Sequence, residues 1–255
     1  MKVRTVRLIH GPPAPLAVPD APLFRELPRI RERRGEIIVA ADTASGTTLG
    51  AIGIFPDKDE GGALFRLAGM EIFSGAGETA VDELLLEQAG AYMAEHRVRR
   101  LAFGTSPLIT ASALLYVTRF GARYVWREGA RTPEGQPWPH VSCECDFDDP
   151  LAKPLDLRDD EIPSRSVLLW RDGVPVTRKD IKFVGPLSLL LPELDAERIA
   201  AEGRRVPDFL ETIYGAFHAL HLHGYGFAWF DRLSEAARSS ETPPFYYLMR
   251  RTMTL

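Results

Sequence analysis

Strand and helix signals alternate along residues 36–147 of this 255-residue chain, and their order limits the fold more than any other feature. The predicted order is a β-hairpin, a third strand, a loop, a helix, a strand, a helix and two strands. The strand pattern covers Glu36–Ala41, Thr48–Phe55, Ala63–Phe73 (with a bulge), Arg100–Phe103, Tyr124–Arg127 and Val141–Phe147. Helices are predicted from Thr79 to about His96 and over Ala111–Phe120. Because helices interrupt the strands, this order predicts a mixed α/β sheet.

The longest uncharged segment, Leu101–Thr118, is the candidate for a membrane-spanning helix in this sequence. Its length suits a membrane helix, but Gly104-Thr105-Ser106-Pro107 lies inside it and predicts a strand, a turn and a helix. The first ten residues are charged and lack the apolar run of a signal peptide. We therefore expect a cytoplasmic protein with no membrane partner, and a net charge of −4 argues against nucleic acid.

A recurrence suggests that the chain has two related halves. Gly121–Trp126 aligns with Gly224–Trp229, 103 residues further on, and each follows a predicted helix and precedes a final strand. The charged, proline-containing segment 148–166 reads as a linker. The predicted domains are therefore 1–147, a linker at 148–166, and a C-terminal half at 167–255. Coincidence remains the alternative, since glycine caps and aromatic strands are common.

The element order, together with the glycine-containing loop between Leu67 and Thr79, resembles the GNAT acyltransferase superfamily. The resemblance implies a mixed, mostly antiparallel sheet flanked by helices, with a second GNAT-like half at the C-terminus. It also implies acetyl-CoA or another acyl-CoA as co-substrate, bound between two splayed strands. In that family the pyrophosphate meets the backbone N–H groups and dipole of a helix start.

Shorter motifs are similar to a branch of predicted acetyltransferases with an added C-terminal part. Ser106-Pro107-Leu108 and Phe120-Gly121-Ala122 resemble two parts of that branch's signature. Leu189–Pro192, His223-Gly224-Tyr225 and Tyr246–Arg250 are similar to its tail. These motifs are short but spread over most of the chain.

The resemblance implies that acyl-CoA binds to residues at the end of the third strand, in the loop after it and at the starts of the two helices. They are Ile72, Ser74, Gly75, Ala76, Gly77, Thr79 and Ser112. Thr79 and Ser112 are also ordinary helix-terminus residues. The loop departs from the family pattern because no Arg or Gln precedes its glycines, and Glu78, Asp82 and Glu83 crowd the helix start instead. Carboxylates there repel the negatively charged pyrophosphate of CoA. We therefore expect CoA to bind weakly.

Two residues are predicted to take part in the chemistry of acyl transfer. Glu71, opposite in face to its neighbours on the strand, is the predicted general base, and a solvated strand carboxylate is the alternative. The resemblance implies that Tyr116 protonates the leaving thiolate, and core packing is the alternative. Tyr116 stands five residues before Gly121 rather than the family's four, which on an α-helix turns it by about 100°.

Cysteine and histidine spacing gives little support for a metal site. Cys143 and Cys145 are one residue apart, on one face of a predicted strand, and we expect reduced thiols. His218 and His221 have i, i+3 spacing on a predicted helix, and His140 lies near the cysteines in sequence. Paired zinc-binding cysteines usually have two to four residues between them. The prediction is no metal.

The sequence therefore predicts an N-acyltransferase that moves an acyl group from acyl-CoA to a small amine or amino acid. A GNAT-fold binding or scaffold protein that has lost CoA is one alternative. Acyl transfer from a carrier-protein thioester is another. A homodimer is left open.

Overall fold

Strand β3 (Thr48–Pro56) is buried along almost its whole length, so both of its faces must be covered. A Cβ at Gly53 would contact Leu23 and Ile30 of the preceding helices, and one at Gly50 would contact Val81 of the following helix. Because alternate strand residues point to opposite faces, β3 is the central strand of a sheet with helices on both sides.

The computed structural model describes residues 6–10, 22–43, 45, 47–57, 64–73, 81–132, 134–154, 158–238 and 242–252. It divides into two compact units, the first formed by residues 1–103 and 146–148 and the second by 104–145 and 149–255. These units are defined by packing, whereas the predicted domains rest on recurrence in the sequence. The predicted domain boundaries therefore stay a prediction.

The first unit contains a sheet whose strands run in the order β1-β2-β3-β4-β5. Neighbours are antiparallel except for β4 and β5, which are parallel. The other strands are β1 (Val6–His10), β2 (Glu36–Asp42), β4 (Leu64–Ile72) and β5 (Arg100–Thr105), the last of which continues into the second unit. The predicted hairpin and the bulged third strand are confirmed.

Within the described part of the first unit, three helices cover this sheet. They are α1 (Pro22–Arg25), α2 (Leu27–Glu32) and α3 (Val81–Glu95). Residues 12–35 are rich in proline and arginine, which predicts a surface helix or loop. Leu23 and Ile30 are instead buried in the core, with 2% and 1% of their surface exposed. Helix α3 ends where predicted. The helical spacing of Val81, Leu84, Leu85, Gln88 and Tyr92 predicts that these residues share its buried face, and the observed face differs. Leu84, Gln88 and Tyr92 are only partly buried, and the face that packs inward carries Val81, Leu85, Leu86, Ala89 and Met93.

The second unit contains two antiparallel strand pairs and a three-stranded sheet. The pairs are β6 (Arg123–Arg127) with β7 (His140–Asp146), and β8 (Leu168–Arg171) with β9 (Val174–Thr177). The sheet has the order β10-β12-β11, formed by β10 (Leu187–Leu191), β11 (Tyr225–Arg232) and β12 (Phe245–Arg251). Its helices are α4 (Thr110–Ala113), a π-helix over Leu114–Arg119, α5 (Ala196–Arg205) and α6 (Phe209–Leu222). No helix in the described ranges is long and apolar enough to cross a membrane.

The order of elements predicted from the recurrence is present in the second unit. Gly121 follows the π-helix with φ 59°, and Gly224 follows α6 with φ 75°. Each glycine precedes an antiparallel strand pair, β6–β7 or β11–β12. Within the predicted linker, Ile162 and Ser166 are buried, so its end is packed.

Candidate functional site

Strand β4 has an open edge on the side of β5. The parallel ladder joins Leu64 to Arg100, Phe65 to Leu101 and Arg66 to Ala102. Among the described residues, no ladder pair of β4 with β5 follows these three, although β4 continues to Ile72. We call residues 67–72 of β4 the open edge. An extended ligand can bind along such an edge as an added strand.

A β-bulge lies at the beginning of the open edge. On β3 the partners Gly53 and Ile54 are consecutive, whereas on β4 they are matched by Gly69 and Leu67, so Ala68 is an extra residue. A bulge interrupts the ladder and turns the strand locally. Backbone groups at the bulge can therefore leave the regular pattern and contact a ligand.

The hydrogen bonds to β3 identify which backbone groups face the open edge. The Phe73 N–H donates to the Leu49 carbonyl at 2.9 Å. Since N–H groups alternate between the two sides of a strand, the N–H of Glu71 also faces β3. Those of Met70 and Ile72 then face the open edge, where an extended chain could bond to them.

The loop predicted to hold the pyrophosphate follows directly. Ser74, Gly75, Ala76, Gly77 and Thr79 lie outside the described residues. Ile72, the described member of this set on β4, has 45% of its surface exposed. Their role in binding CoA stays a prediction.

The beginning of α3 carries the predicted negative charge. Asp82 and Glu83 both lie in its first turn, and Asp82 Oδ1 accepts a hydrogen bond from the Glu83 N–H at 2.9 Å. The Asp82 carboxylate is therefore directed at the backbone of its own helix. Carboxylates at this end are favoured by the helix dipole, and they repel an approaching phosphate.

Glu71 lies on the face of β4 that is covered by α1. Its Oε1 accepts a hydrogen bond from the backbone N–H of Leu23 at 2.7 Å, and its side chain is half-buried. The carboxylate is thus positioned by a helix start rather than left in solvent. Its role as a general base stays a prediction.

In the second unit, the loop before α4 is fixed by C-terminal residues. The Tyr247 hydroxyl donates to the Pro107 carbonyl at 2.7 Å. The Thr110 N–H donates to the Leu194 carbonyl at 3.0 Å, and the Leu194 N–H donates to Thr110 Oγ1 at 3.1 Å. Two of the motifs that carried the resemblance, Ser106-Pro107-Leu108 and the Tyr247 tail, therefore meet in space.

Ser112 lies in this short helix and is half-buried. Thr110 and Tyr247 had no predicted role of their own, although a threonine at the start of a predicted helix is a signal for a capping residue. Both are buried, and both stabilise the loop. Binding of a ligand by Ser112 stays a prediction.

The π-helix removes the angular offset predicted for Tyr116. Phe120 N–H donates to the Leu115 carbonyl at 3.1 Å, an i to i+5 bond. A π-turn takes up one more residue than an α-turn. Tyr116, five residues before Gly121, therefore keeps the direction that a tyrosine four residues before the glycine has on an α-helix. Its side chain is 6% exposed, and its role as an acid stays a prediction.

In the second unit, strand β7 carries the two cysteines inward. Both are reduced and buried, and the burial alternates along the strand, which confirms that they share one face. Burial raises the pKa of the Cys143 thiol, and the adjacent Cys145 adds to this. Burial also raises the pKa of the Tyr124 hydroxyl. The Cys143 thiol is thus held in its protonated form, and both thiols are shielded from solvent.

The histidines of α6 face a carboxylate. His218 Nδ1 lies 3.5 Å and His221 Nε2 3.9 Å from Glu128 Oε1. Glu128 was not predicted here because it comes directly after β6, some 90 residues earlier in the sequence. In the part of the chain that the structure describes, no group of three or more His, Cys, Asp or Glu side chains could hold a metal ion.

Comparison with known proteins gives structural likenesses only. No family model matches the chain, and no curated protein matches it. Among solved structures it is similar to an IAA acetyltransferase from Bacillus cereus, with 14% identity, 56% of this chain and 99% of that chain covered, and a TM-score of 0.42. A Bacillus subtilis acetyltransferase in complex with CoA has 15% identity, 56% and 99% coverage, and a TM-score of 0.43. A GNAT-family acetyltransferase from Staphylococcus aureus Mu50 has 14% identity, 56% and 99% coverage, and a TM-score of 0.41.

Proposed function

We propose that the protein transfers an acyl group from an acyl-CoA thioester to an amine. The observation that supports this most directly is the open edge of β4, which begins where the ladder to β5 stops. The GNAT resemblance predicts such a splayed pair of strands as the place of the thioester. The same resemblance implies that the acceptor is a small amine or amino acid.

The chemistry of the donor suits this edge. The pantetheine arm of CoA is extended and contains two amide groups, so it can hydrogen-bond to the backbone of Met70 and Ile72 as an added strand does. The thioester carbonyl needs a hydrogen-bond donor while negative charge develops on its oxygen. A backbone N–H displaced from the ladder by the bulge at Ala68 is suited to that task.

The reaction itself needs no covalent enzyme intermediate. The amine lone pair attacks the thioester carbon, the C–N bond forms, and the C–S bond breaks to release the CoA thiolate. In our proposal Glu71 takes the proton from the amine and Tyr116 gives a proton to the thiolate. General acid–base steps of this kind typically contribute 10²–10⁴-fold each.

The acidic first turn of α3 favours a second donor. A thioester on the phosphopantetheine of a carrier protein has no nucleotide pyrophosphate to place against Asp82 and Glu83. The open edge would bind its pantetheine arm in the same way. Comparing acetyl-CoA with acetyl-pantetheine distinguishes these donors.

The test is residue-resolved hydrogen exchange on the full chain, with and without acetyl-CoA or acetyl-pantetheine. We expect the amides of Met70 and Ile72 to exchange more slowly with the donor bound. The amide of Glu71, which faces β3, is the internal control and should not change. Release of free thiol from the donor, in the presence of a panel of primary amines, measures the transfer in parallel.

The outcomes separate clearly. Slower exchange at Met70 and Ile72 together with amine-dependent thiol release supports the proposal. Protection without any transfer would indicate a binding protein and contradict it. If the exchange rates of both amides stay unchanged with saturating donor, the proposed binding of the donor along the open edge of β4 is contradicted.

A further inference from the structure

A groove in the second unit has no part in the proposed acyl transfer. It lies between α5, the beginning of α6, and the connection from β6 to β7, of which residues 131, 132 and 134–138 form one wall. Two adjoining cavities of about 380 Å³ and 280 Å³ share Glu134, Gln136, Gly203 and Leu210. Volumes of this size accommodate small organic ligands.

The wall formed by the described residues of this connection is held in place by its own hydrogen bonds. The Trp138 N–H donates to the Ala130 carbonyl at 2.9 Å, and the Thr132 N–H donates to the Gln136 carbonyl at 2.9 Å. Arg131 Nη1 also donates to the Gly135 carbonyl at 2.6 Å. The wall is therefore formed before any ligand arrives, which reduces the entropy lost on binding.

The larger cavity has an apolar lining. Trp138 lies on one side and Ile199 and Leu210 on the other. Gly203 keeps the space open, because a Cβ there would meet no atom within 4 Å. An aromatic or aliphatic group can bury its surface here, and one face of Trp138 is suited to packing against a ring.

The smaller cavity is acidic. Glu134 comes from the wall, and Asp208 and Glu211 come from the beginning of α6. Asp208 and Glu211 also suit a helix N-terminus, whereas Glu134 is an exposed residue outside the helices. Arg131, the basic residue among them, donates to the Gly135 carbonyl and keeps its positive charge, so the lining carries three carboxylates and one guanidinium. In the larger cavity, the charge of Glu134 is offset by that of Arg204.

We propose that this groove binds an amphipathic organic cation, namely a primary amine on an apolar body about the size of a phenyl or short alkyl group. The body occupies the larger cavity against Trp138, Ile199 and Leu210. The ammonium group lies in the smaller cavity among Glu134, Asp208 and Glu211, because charge of opposite sign favours it there. This inference does not depend on acyl transfer.

Calorimetry on the full chain at low salt tests the ligand class with three probes of similar shape. They are 2-phenylethylamine, 2-phenylethanol and 3-phenylpropionate. We expect the amine to bind at least tenfold more tightly than the alcohol, and the carboxylate to bind more weakly still. Equal binding of amine and alcohol, tighter binding of the carboxylate, or no binding of any probe would overturn the proposal.

A pair of glycine variants tests the place of binding. Gly203→Leu should fill the groove and abolish binding of 2-phenylethylamine. Gly215→Leu is the matched control, since Gly215 is also helical with no atom within 4 Å of its Cβ position, and it does not line the groove. Retained binding in Gly203→Leu, or equal loss in both variants, would overturn the assignment.

A charge variant gives a second test that does not depend on filling the groove. Glu134→Gln is a change at an exposed position and should weaken the amine about tenfold while leaving the alcohol unchanged. Glu161→Gln, in the same unit and outside the groove, is the control. An unchanged amine affinity in Glu134→Gln would contradict the proposed position of the ammonium group.

Discussion

The beginnings of α3 and α4 each come after a strand in chain order, yet they use their backbone groups in different ways. At the start of α4 the Thr110 backbone and side chain are both bonded to Leu194. At the start of α3 two carboxylates, Asp82 and Glu83, lie in the first turn, and Asp82 accepts from the backbone of its own helix. The start of α4 is hydrogen-bonded to a segment distant in sequence, whereas the start of α3 carries negative charge.

The comparison indicates which substitutions should change the free energy of unfolding and which should change the affinity for a charged ligand. A buried hydrogen-bonded pair contributes mainly through the penalty for leaving a partner unsatisfied. Exposed charges at a helix end contribute less to folding but act directly on a charged ligand. We therefore expect the α4 start to control the free energy of unfolding, and the α3 start to control the binding of anions.

The largest effect is expected for Tyr116→Phe, which would show that the α4 region also takes part in chemistry. If Tyr116 protonates the leaving thiolate, kcat for acetyl-CoA should fall about a hundredfold or more. A thioester with an acidic leaving thiol needs no such proton, so its rate should fall much less. Tyr214→Phe, on α6, is the matched control.

An equal loss with both thioesters would contradict the acid role of Tyr116 and favour core packing. The rates are measured by release of the leaving thiol, after circular dichroism has established that both variants fold.

The substitution Thr110→Val removes the hydroxyl group at the start of α4 and keeps the volume of the side chain similar. It leaves the buried N–H of Leu194 without its acceptor, and the free energy of unfolding should fall by about 2 kcal/mol. Urea denaturation measures this, with Thr212→Val on α6 as the control for the same substitution. A loss no greater than that of the control would show that water replaces the hydroxyl.

Charge removal tests the start of α3. In the double variant Glu78→Gln with Asp82→Asn, acetyl-CoA should bind more than about tenfold tighter, which corresponds to about 1.4 kcal/mol. Calorimetry at low salt measures the affinity, and Glu87→Gln, exposed in the middle of α3, is the control.

Micromolar binding by the natural protein, unchanged in the double variant, would contradict the proposed repulsion. Added salt should reduce the difference between the two proteins, because exposed charges are screened.

The smallest effect concerns His140, whose ring lies against Gly104 at the end of β5. Burial lowers the pKa of His140 below 6.5, and Arg127 adds to this. The unfolded chain therefore binds this proton more readily, so the free energy of unfolding should fall as pH drops below about 6.5.

The measurement is thermal unfolding between neutral and mildly acidic pH. His140→Gln should lessen the acid-induced fall in Tm, and the control His96→Gln, at an exposed site, should not. The same pH dependence in all three proteins would assign the effect to other groups.

Local patterns predicted most of the strand and helix segments because each depends on neighbouring residues. The β2–β3 hairpin, the bulged β4 and the end of α3 were all predictable in this way. The buried face of α3 was not, since the apolar residues of that helix do not form one stripe and the sheet decides which of them pack inward. The burial of Leu23 was hidden by the prolines and arginines around it.

The candidate site was predictable only in part, for a physical reason. Glu71 could be placed on a face of β4, but its bond to Leu23 joins residues 48 apart in sequence. The bonds of Pro107 to Tyr247 and of Thr110 to Leu194 are likewise long-range. The π-turn at Tyr116 depends on packing that α-helical periodicity does not describe.

The shielded thiols of β7 have a practical consequence for kinetics. Cys143 and Cys145 are the two cysteines of the chain, and 0% and 1% of their surface is exposed. A thiol-specific dye should therefore leave the folded protein unlabelled, so colour that develops during an assay comes from the released donor thiol. In the absence of donor, the rate of slow labelling measures transient opening of the second unit, at two positions on the same face of one strand.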